Sequence, residues 1–378
     1  MRFALGLVLV LLSGCGLKTA ELQSMEIVAK DGGELQAEGR LGFALVGATH
    51  GGNSEALITD VRTQIAVDDL SFVALTGGLV GGSSTAAWKG FASRWGDIVK
   101  GTQVSDNKAR RPVLPLVGSG ERVGDPDLKG LGHVFPGIGA DVGYARVAPW
   151  THFDVRSGQT RWRFVFIDSQ KKRVGARWAE QTRWLREVLS GPHDRMLVFM
   201  SSPLVTLTAS GRYDPGGGAR ELLTIVEEDG EDLKRPVVFF AGAATNEVFM
   251  PSGNFGTAFV NIGGSNKSTT GFYRSSSGGE DVPAGYAAGF DALLIKELRA
   301  EVEAQPLDDE VLDRAQGSGE WTGERGYIAS KHLPLSGWWE IFVQDDQMLM
   351  QFRMSKYAAS FSTAYQAKHT KTDGWREK

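Results

Sequence analysis

Short apolar runs alternate with longer amphipathic stretches along much of the chain. Residues 41–46 form an apolar run of the length of a buried strand, and it stops at Gly47-Ala48-Thr49-His50-Gly51-Gly52. Asn53 and Ser54 then suit the cap of a helix over 55–67. The run 71–76 repeats the pattern, ending in Gly77-Gly78-Leu79-Val80-Gly81-Gly82, and 83–100 reads as a helix with Trp88, Phe91, Trp95 and Ile98 at spacings of three and four. A third run, 112–117, ends in Gly118-Ser119-Gly120-Glu121-Arg122. This rhythm predicts β-α-β units.

The glycine-rich segment 125–143 reads as a long surface loop. Residues 144–155 and 162–167 read as paired strands joined by a turn over 156–160, with Asp154 and Asp168 at strand ends. The clearest helix covers 176–189, where Trp178, Gln181, Trp184, Leu185, Val188 and Leu189 form its amphipathic face. Further buried strands are expected at 195–200, stopping at Ser201-Ser202-Pro203, and at 236–241, stopping at Gly242-Ala243-Ala244-Thr245-Asn246. Another is expected at 257–262, before Gly263-Gly264. Between them, 216–228 predicts a helix with Leu222, Leu223 and Val226 inward. Residues 265–285 are a Ser/Gly loop, and 286–297 fits either a strand and turn or a short helix. Partial alternation over 338–354 predicts a hairpin able to cover a sheet edge. Trp338 and Trp339 are adjacent and must point to opposite sides of a strand, so one of them is expected to be exposed or covered by a partner.

Composition narrows the class. A chain of 378 residues and 40.8 kDa suits one large α/β domain or two modest ones, and its 49 glycines predict many turns. Forty-one Lys plus Arg against 45 Asp plus Glu leave a formal charge of -4, which does not attract nucleic acid. The start of the chain is set apart from the fold. Met1-Arg2 supplies a positive region, residues 3–12 an apolar core too short to span a bilayer, and Leu12-Ser13-Gly14-Cys15 resembles the lipobox of bacterial lipoproteins. Cys15 is the sole cysteine, so the remainder of the chain has no disulfide and no thiolate metal site. Cleavage before Cys15 and its acylation would anchor the protein to a membrane, an ordinary secretory leader being the alternative. The expected location is the cell envelope, on the periplasmic face or the surface of the outer membrane, with Gly16 permissive for export.

The expected domain plan is a signal peptide over 1–14 and an acylated Cys15 with a tether to residue 38. The main domain runs from 39 to 300, followed by an acidic linker or surface helix over 301–320 and a Trp-rich strand extension over 321–378 packed on that domain.

Five strand ends in succession finish in small-residue turns, and their order and wording resemble the calcineurin-like metallophosphoesterases across most of 41–264. Residues 162–169 look like that family's strand ending in Leu-Asp-Ser, and Gln181-Thr182-Arg183-Trp184-Leu185 looks like its Gln-x-x-Trp-Leu helix. The resemblance implies an α/β fold with two mixed β-sheets in a sandwich flanked by helices. It also implies two divalent metals such as Mn, Fe or Zn, held by Asp-x-His, Gly-Asp, Gly-Asn-His-Glu or Gly-Asn-His-Asp, a lone His before a Pro, and Gly-His-x-His.

Laid on those motifs, the chain has lost most of the ligands. The first aspartate falls on Ala48, while its histidine is kept as His50; the bridging aspartate falls on Gly78. The Asn and His of the third motif fall on Ser119 and Gly120, ahead of the retained Glu121. The lone His falls on Ser201, and the last two on Ala243 and Thr245. A two-metal hydrolase depends on a bridging carboxylate and several imidazoles, which methyl groups, hydrogens and neutral hydroxyls do not replace. No metal and no cofactor are therefore expected.

Thr49, Glu121, Arg122, Ser202 and Asn246 remain as residues able to contact a ligand at the former centre, with His50 the one residual catalytic candidate. The sequence thus predicts a lipid-anchored envelope protein whose domain is inactive and acts as a binding or scaffold module for an envelope protein or small ligand. The alternatives are a phosphoester hydrolase with non-standard ligands and an envelope ligand-binding protein using the emptied crevice.

Overall fold

The computed structural model describes residues 33–37, 39–47, 54–67, 70–99, 113–134, 150–203, 218, 221, 222, 225, 236–242, 246–251, 257–263, 327–333, 337–354, 363–370 and 374–377. Its elements in chain order begin with strands β1 (Gly33–Ala37) and β2 (Leu41–Val46), helix α1 (Ser54–Val67), β3 (Phe72–Leu75), α2 (Thr85–Val99) and β4 (Val113–Pro115). Two short helices, α3 (Ser119–Arg122) and α4 (Lys129–Val134), precede the hairpin β5 (Thr151–Ser157) and β6 (Thr160–Ile167). After α5 (Lys171–Val174) and α6 (Trp178–Ser190) come β7 (Arg195–Met200), β8 (Val238–Gly242), β9 (Asn246–Pro251) and β10 (Ala258–Ile262). The last strands are β11 (Tyr327–Leu333), β12 (Gly337–Gln344), β13 (Gln347–Met354), β14 (Thr363–Thr370) and β15 (Gly374–Glu377).

Among the described residues the strands form two mixed sheets. One has the order β1-β5-β6-β7-β8-β10-β9-β11, in which β6, β7, β8 and β10 run parallel to one another and β5 and β9 are antiparallel to their neighbours β6 and β10. The other has the order β15-β14-β13-β12-β2-β3-β4, in which β2, β3 and β4 are parallel and β12 to β15 antiparallel. The expected α/β sandwich of two mixed sheets with flanking helices is thus the architecture found.

The two sheets meet through phenylalanines. Phe43 on β2 stands edge-on to Phe164 and Phe199 of the other sheet, at 5.5 and 6.0 Å between ring centres, and Phe72 meets Phe153 at 6.3 Å. These rings are buried, and each removes a large apolar area from water, so the interior between the sheets dominates the hydrophobic stabilisation. Both parallel units carry their strand ends to one end of the sandwich, where crevice turns collect.

Several local expectations are revised. Residues 33–37, within the expected tether, form an edge strand: β1 runs parallel to β5, and Glu34 pairs with Arg156 and Arg161 at 3.1 Å each. The expected loop over 125–143 contains α4, because Asp125 caps it with both carboxylate oxygens (Lys129 N at 3.0 Å, Gly130 N at 2.7 Å) and Leu128 and Leu131 are buried. Gly130 is needed there, since a Cβ would strike the Trp88 indole. Asp154 lies inside β5 rather than at its end, paired with Arg163 through both oxygens at 2.8 and 2.9 Å.

The hairpin expected over 338–354 is β12–β13, and β12 pairs with β2, so β2 is an interior strand. Trp338 and Trp339 do face opposite ways, yet both are fully buried. Trp339 lies on the inner face beside Phe352, whereas the Trp338 N–H donates to the buried Glu340 at 3.1 Å on the outer face. Glu340 in turn accepts from Gln351 and Arg353, both at 2.7 Å, so the chain itself satisfies that face. In the helix expected over 216–228, Leu222 and Ile225 are buried and Leu223 and Val226 lie outside the described residues.

Candidate functional site

The ends of β3, β4, β7 and β8 converge. At Gly77 an added Cβ would lie 3.0 Å from the Ser201 Cβ and 3.3 Å from the Gly118 Cα, which brings the turns after β3, β4 and β7 into contact. At Gly242, at the end of β8, it would strike the Thr76 carbonyl and lie 2.9 Å from the Ser201 carbonyl oxygen. Gly47, after β2, packs in the same way against the backbone of Ile262 and Gly263. Gly77 and Gly78 have φ of 90° and 64°, the left-handed region that glycine enters without penalty, which is how the chain turns so sharply after β3.

Of the positions laid on the metal motifs, Gly78, Gly120 and Ser201 are therefore on adjoining turns, and the backbone of Ser119 opens α3 between them. Ala48, Thr49, His50, Ala243 and Thr245 lie outside the described residues, as does Cys15.

The polar side chains around these turns are bonded to protein. Glu121 is fully buried. Its Oε1 accepts from the backbone N–H of Leu79 at 2.6 Å and of Val80 at 3.0 Å, and its Oε2 accepts from Gly118 N at 2.7 Å. Burial pushes its carboxyl above the ordinary range, against the downward pull of backbone N–H groups. Arg122, one residue on, is turned to the protein rather than to a ligand. Its Nε and Nη2 both donate to Asp168 Oδ2, at 3.2 and 2.7 Å, and its Nη1 donates to the Pro126 carbonyl at 3.0 Å. Asp168 is also fully buried and raised by burial, with the Arg122 charge opposing the shift.

Gln181 completes this arrangement from α6, accepting from Asp168 N at 3.0 Å and donating to Asp168 O at 2.9 Å. That is the physical content of the Gln-x-x-Trp-Leu wording in the sequence: the amide pins the end of β6. Ser201 is partly exposed and its hydroxyl meets that of Ser169 at 3.2 Å, while the buried Ser202 hydroxyl accepts from Gln170 Nε2 at 2.5 Å. Asn246 is buried, and its Oδ1 accepts from Gly263 N at 2.9 Å and from the Trp339 indole at 3.2 Å. Glu121, Arg122, Ser202 and Asn246 thus serve the scaffold of the crevice. Asp168, Ser169 and Gln170, which form its buried support, were not singled out as site residues; their only signal in the sequence was the Leu-Asp-Ser likeness around Ile167-Asp168-Ser169.

Among the described residues the donor set does not fit a metal pair. At the described ligand positions Gly78 and Gly120 offer no side chain, Ser201 offers a neutral hydroxyl, and the two neighbouring carboxylates already hold three backbone N–H groups and a guanidinium. Among the described residues there is no group of three or more His, Cys, Asp or Glu that could hold a metal ion.

No family model matches the chain, and no curated protein sequence is significantly similar to it. Solved structures are similar in fold. GAP50, described as the anchor in the inner membrane complex of Plasmodium, aligns with a TM-score of 0.51 at 12% identity over 86% of this chain and 88% of its own. The purple acid phosphatase PPD1 from yellow lupin seeds gives 0.52 at 12% identity, over 87% of this chain and 55% of the lupin enzyme. PhoD gives 0.54 at 11% identity, over 90% and 71%.

Proposed function

We propose that this chain, which has the calcineurin-like metallophosphoesterase fold, is a lipid-anchored cell-envelope protein whose domain no longer performs metal-dependent hydrolysis and works as a binding or scaffold module. One observation carries the reading: among the described residues, the positions laid on the family's ligands are Gly78, Gly120 and Ser201, on adjoining turns after β3, β4 and β7. Hydrolysis by a metal pair needs anionic oxygens to hold the cations and sustain a bound hydroxide. Neither glycine nor serine supplies them. That the fold also occurs in a protein described as an anchor supports a role without turnover.

The anchor itself rests on residues 1–15, with a positive start, an apolar core and Leu12-Ser13-Gly14-Cys15. Acylated Cys15 would hold the protein at the periplasmic face or the surface of the outer membrane.

The two halves of the proposal are tested separately. Purified protein lacking residues 1–15, assayed on generic phosphomonoesters and phosphodiesters with Mn, Fe or Zn added, is expected to give no turnover above buffer. Turnover that His50→Ala abolishes would overturn the inactive reading. In cells, the full chain should fractionate with membranes and Cys15→Ser should move to the soluble fraction; an unchanged distribution would remove the anchor.

A further inference from the structure

We infer that the end of the sandwich that carries the crevice is the membrane-facing end of the anchored protein, held against anionic phospholipid by the basic turn α5. The orientation rests on the acylated Cys15 proposed above. Two features of the fold set it: the place where the chain enters the domain, and the place where its unpaired positive charge stands.

The chain enters at the crevice end because of β1. This strand runs parallel to β5, and β5 antiparallel to β6, so β1 begins near where β6 stops. Gly33 pairs with Phe153, and Phe153 with Phe164, three residues before the end of β6 at Ile167. Ala37 pairs with Ser157 at the opposite end, where the Ser157 hydroxyl donates to the Gly39 carbonyl at 3.2 Å, and β2 starts back from there. A fold that opened on β2 would receive its tether at that far end. The edge strand carries the point of attachment along the sheet towards the crevice instead. Residues 16–32 separate Cys15 from Gly33, a reach of at most about 60 Å. That keeps the domain close to the lipid and leaves its tilt to charge.

The charge lies at the same end. Lys171 follows directly on Gln170 beyond β6, and within 171–177 Lys171, Lys172, Arg173 and Arg177 are basic, no residue is acidic and none is buried. The turn is fixed to the crevice: the Gln170 carbonyl accepts from Arg173 N at 2.8 Å and Val174 N at 2.9 Å, and the Gln170 side-chain amide donates to Ser202. Lys171 is engaged by Glu221 at 2.6 Å and Arg177 by Glu180 at 3.0 Å, whereas Lys172 and Arg173 are exposed and meet no acid among the described residues. Cations near an anionic bilayer are drawn to its surface, and a basic cluster beside a lipid anchor is a second signal that makes attachment firm. The chain as a whole carries a formal charge of -4, so the remainder of the protein is on balance repelled by the same surface. Attraction at α5 and repulsion elsewhere together turn the crevice end to the lipid.

Vesicles of phosphatidylcholine, with and without phosphatidylglycerol, test the orientation in two arms. Cys15 is the sole cysteine, so in the acylated full chain Val123→Cys at the crevice end and Gln159→Cys in the β5–β6 turn, both at exposed positions, each introduce one free thiol for a fluorophore. On anionic vesicles the label at 123 should lose more of its emission to an acceptor lipid than the label at 159. Equal losses, or the reverse order, would overturn the orientation. In the second arm, protein lacking residues 1–15, which keeps every described residue, should sediment with anionic vesicles and not with neutral ones. Lys172→Ala combined with Arg173→Ala should weaken that binding by about tenfold or more, added salt should abolish it, and Lys172→Arg with Arg173→Lys should bind like the wild type. Binding that the double alanine variant keeps, or that neutral vesicles match, would overturn α5 as the contact. The second arm needs no acyl chain. A full chain that fails to join membranes would therefore remove the anchor, and the orientation with it, while binding of α5 to anionic vesicles stands or falls by itself.

Discussion

At the scale of single residues, the crevice is defined by side chains that are missing. Gly242 sits where a methyl group would meet the carbonyl oxygens of Thr76 and Ser201, both backbone atoms with little freedom to move. Gly242→Ala should therefore destabilise the fold by about 1–3 kcal/mol, read as a lower urea midpoint with an unchanged slope. A midpoint equal to the wild type would contradict the convergence of β3, β7 and β8. The sequence made the losses at Gly78 and Ser201 legible, because the position of a residue relative to a strand end is local information. It did not reveal what Glu121 and Arg122 do instead. Their partners lie 42 and 46 residues away in the chain, and only packing brings them together. A lone basic residue beside a turn reads as a ligand contact until the buried Asp168 is placed opposite it.

Among the elements, strands and helices with strong periodicity were legible and weakly patterned ones were not. β1 has the sequence GELQA, whose alternation is too short and too weakly apolar to stand out, and it pairs along the parallel edge that β5 offers. β9 follows directly on a small-residue turn that hides its start. The tail read as a hairpin became four antiparallel strands, and with them came a buried titratable group. His369 on β14 is held down to about 4 by burial first, then by the charge of Arg195 at the start of β7, with Asp346 in the β12–β13 turn opposing. Its ordinary value is 6.5. The folded protein therefore binds fewer protons than the unfolded chain between those two values, and stability is lost as pH falls from 6.5 towards 4. The loss attributable to this residue is on the order of 3 kcal/mol at the acid end. Glu121 and Asp168, raised by burial, push the other way, since a raised carboxyl favours the folded state on acidification. Comparing urea midpoints of the wild type and His369→Asn across that window isolates the histidine: the variant should lose less stability, and equal slopes would refute the assignment.

For the molecule as a whole, two mixed sheets close on a core of phenylalanines that meet edge-on between the sheets, and β12 to β15 widen one sheet so that β2 becomes internal. This body is built by apolar strands whose buried side chains fill the space between the sheets. The class of fold was legible because five turns follow one another in the family's order. The way the crevice is held was not, since the partners of Glu121 and Arg122 there, Leu79, Val80 and Asp168, are brought to them only by the fold. The central claim is that the metal centre is empty by construction. Elemental analysis of the purified protein after incubation with excess Mn, Fe and Zn and removal of free ions tests it most directly. The account predicts metal far below one equivalent per chain of each element; one or two tightly held equivalents, lost together with folding stability on chelation, would contradict it.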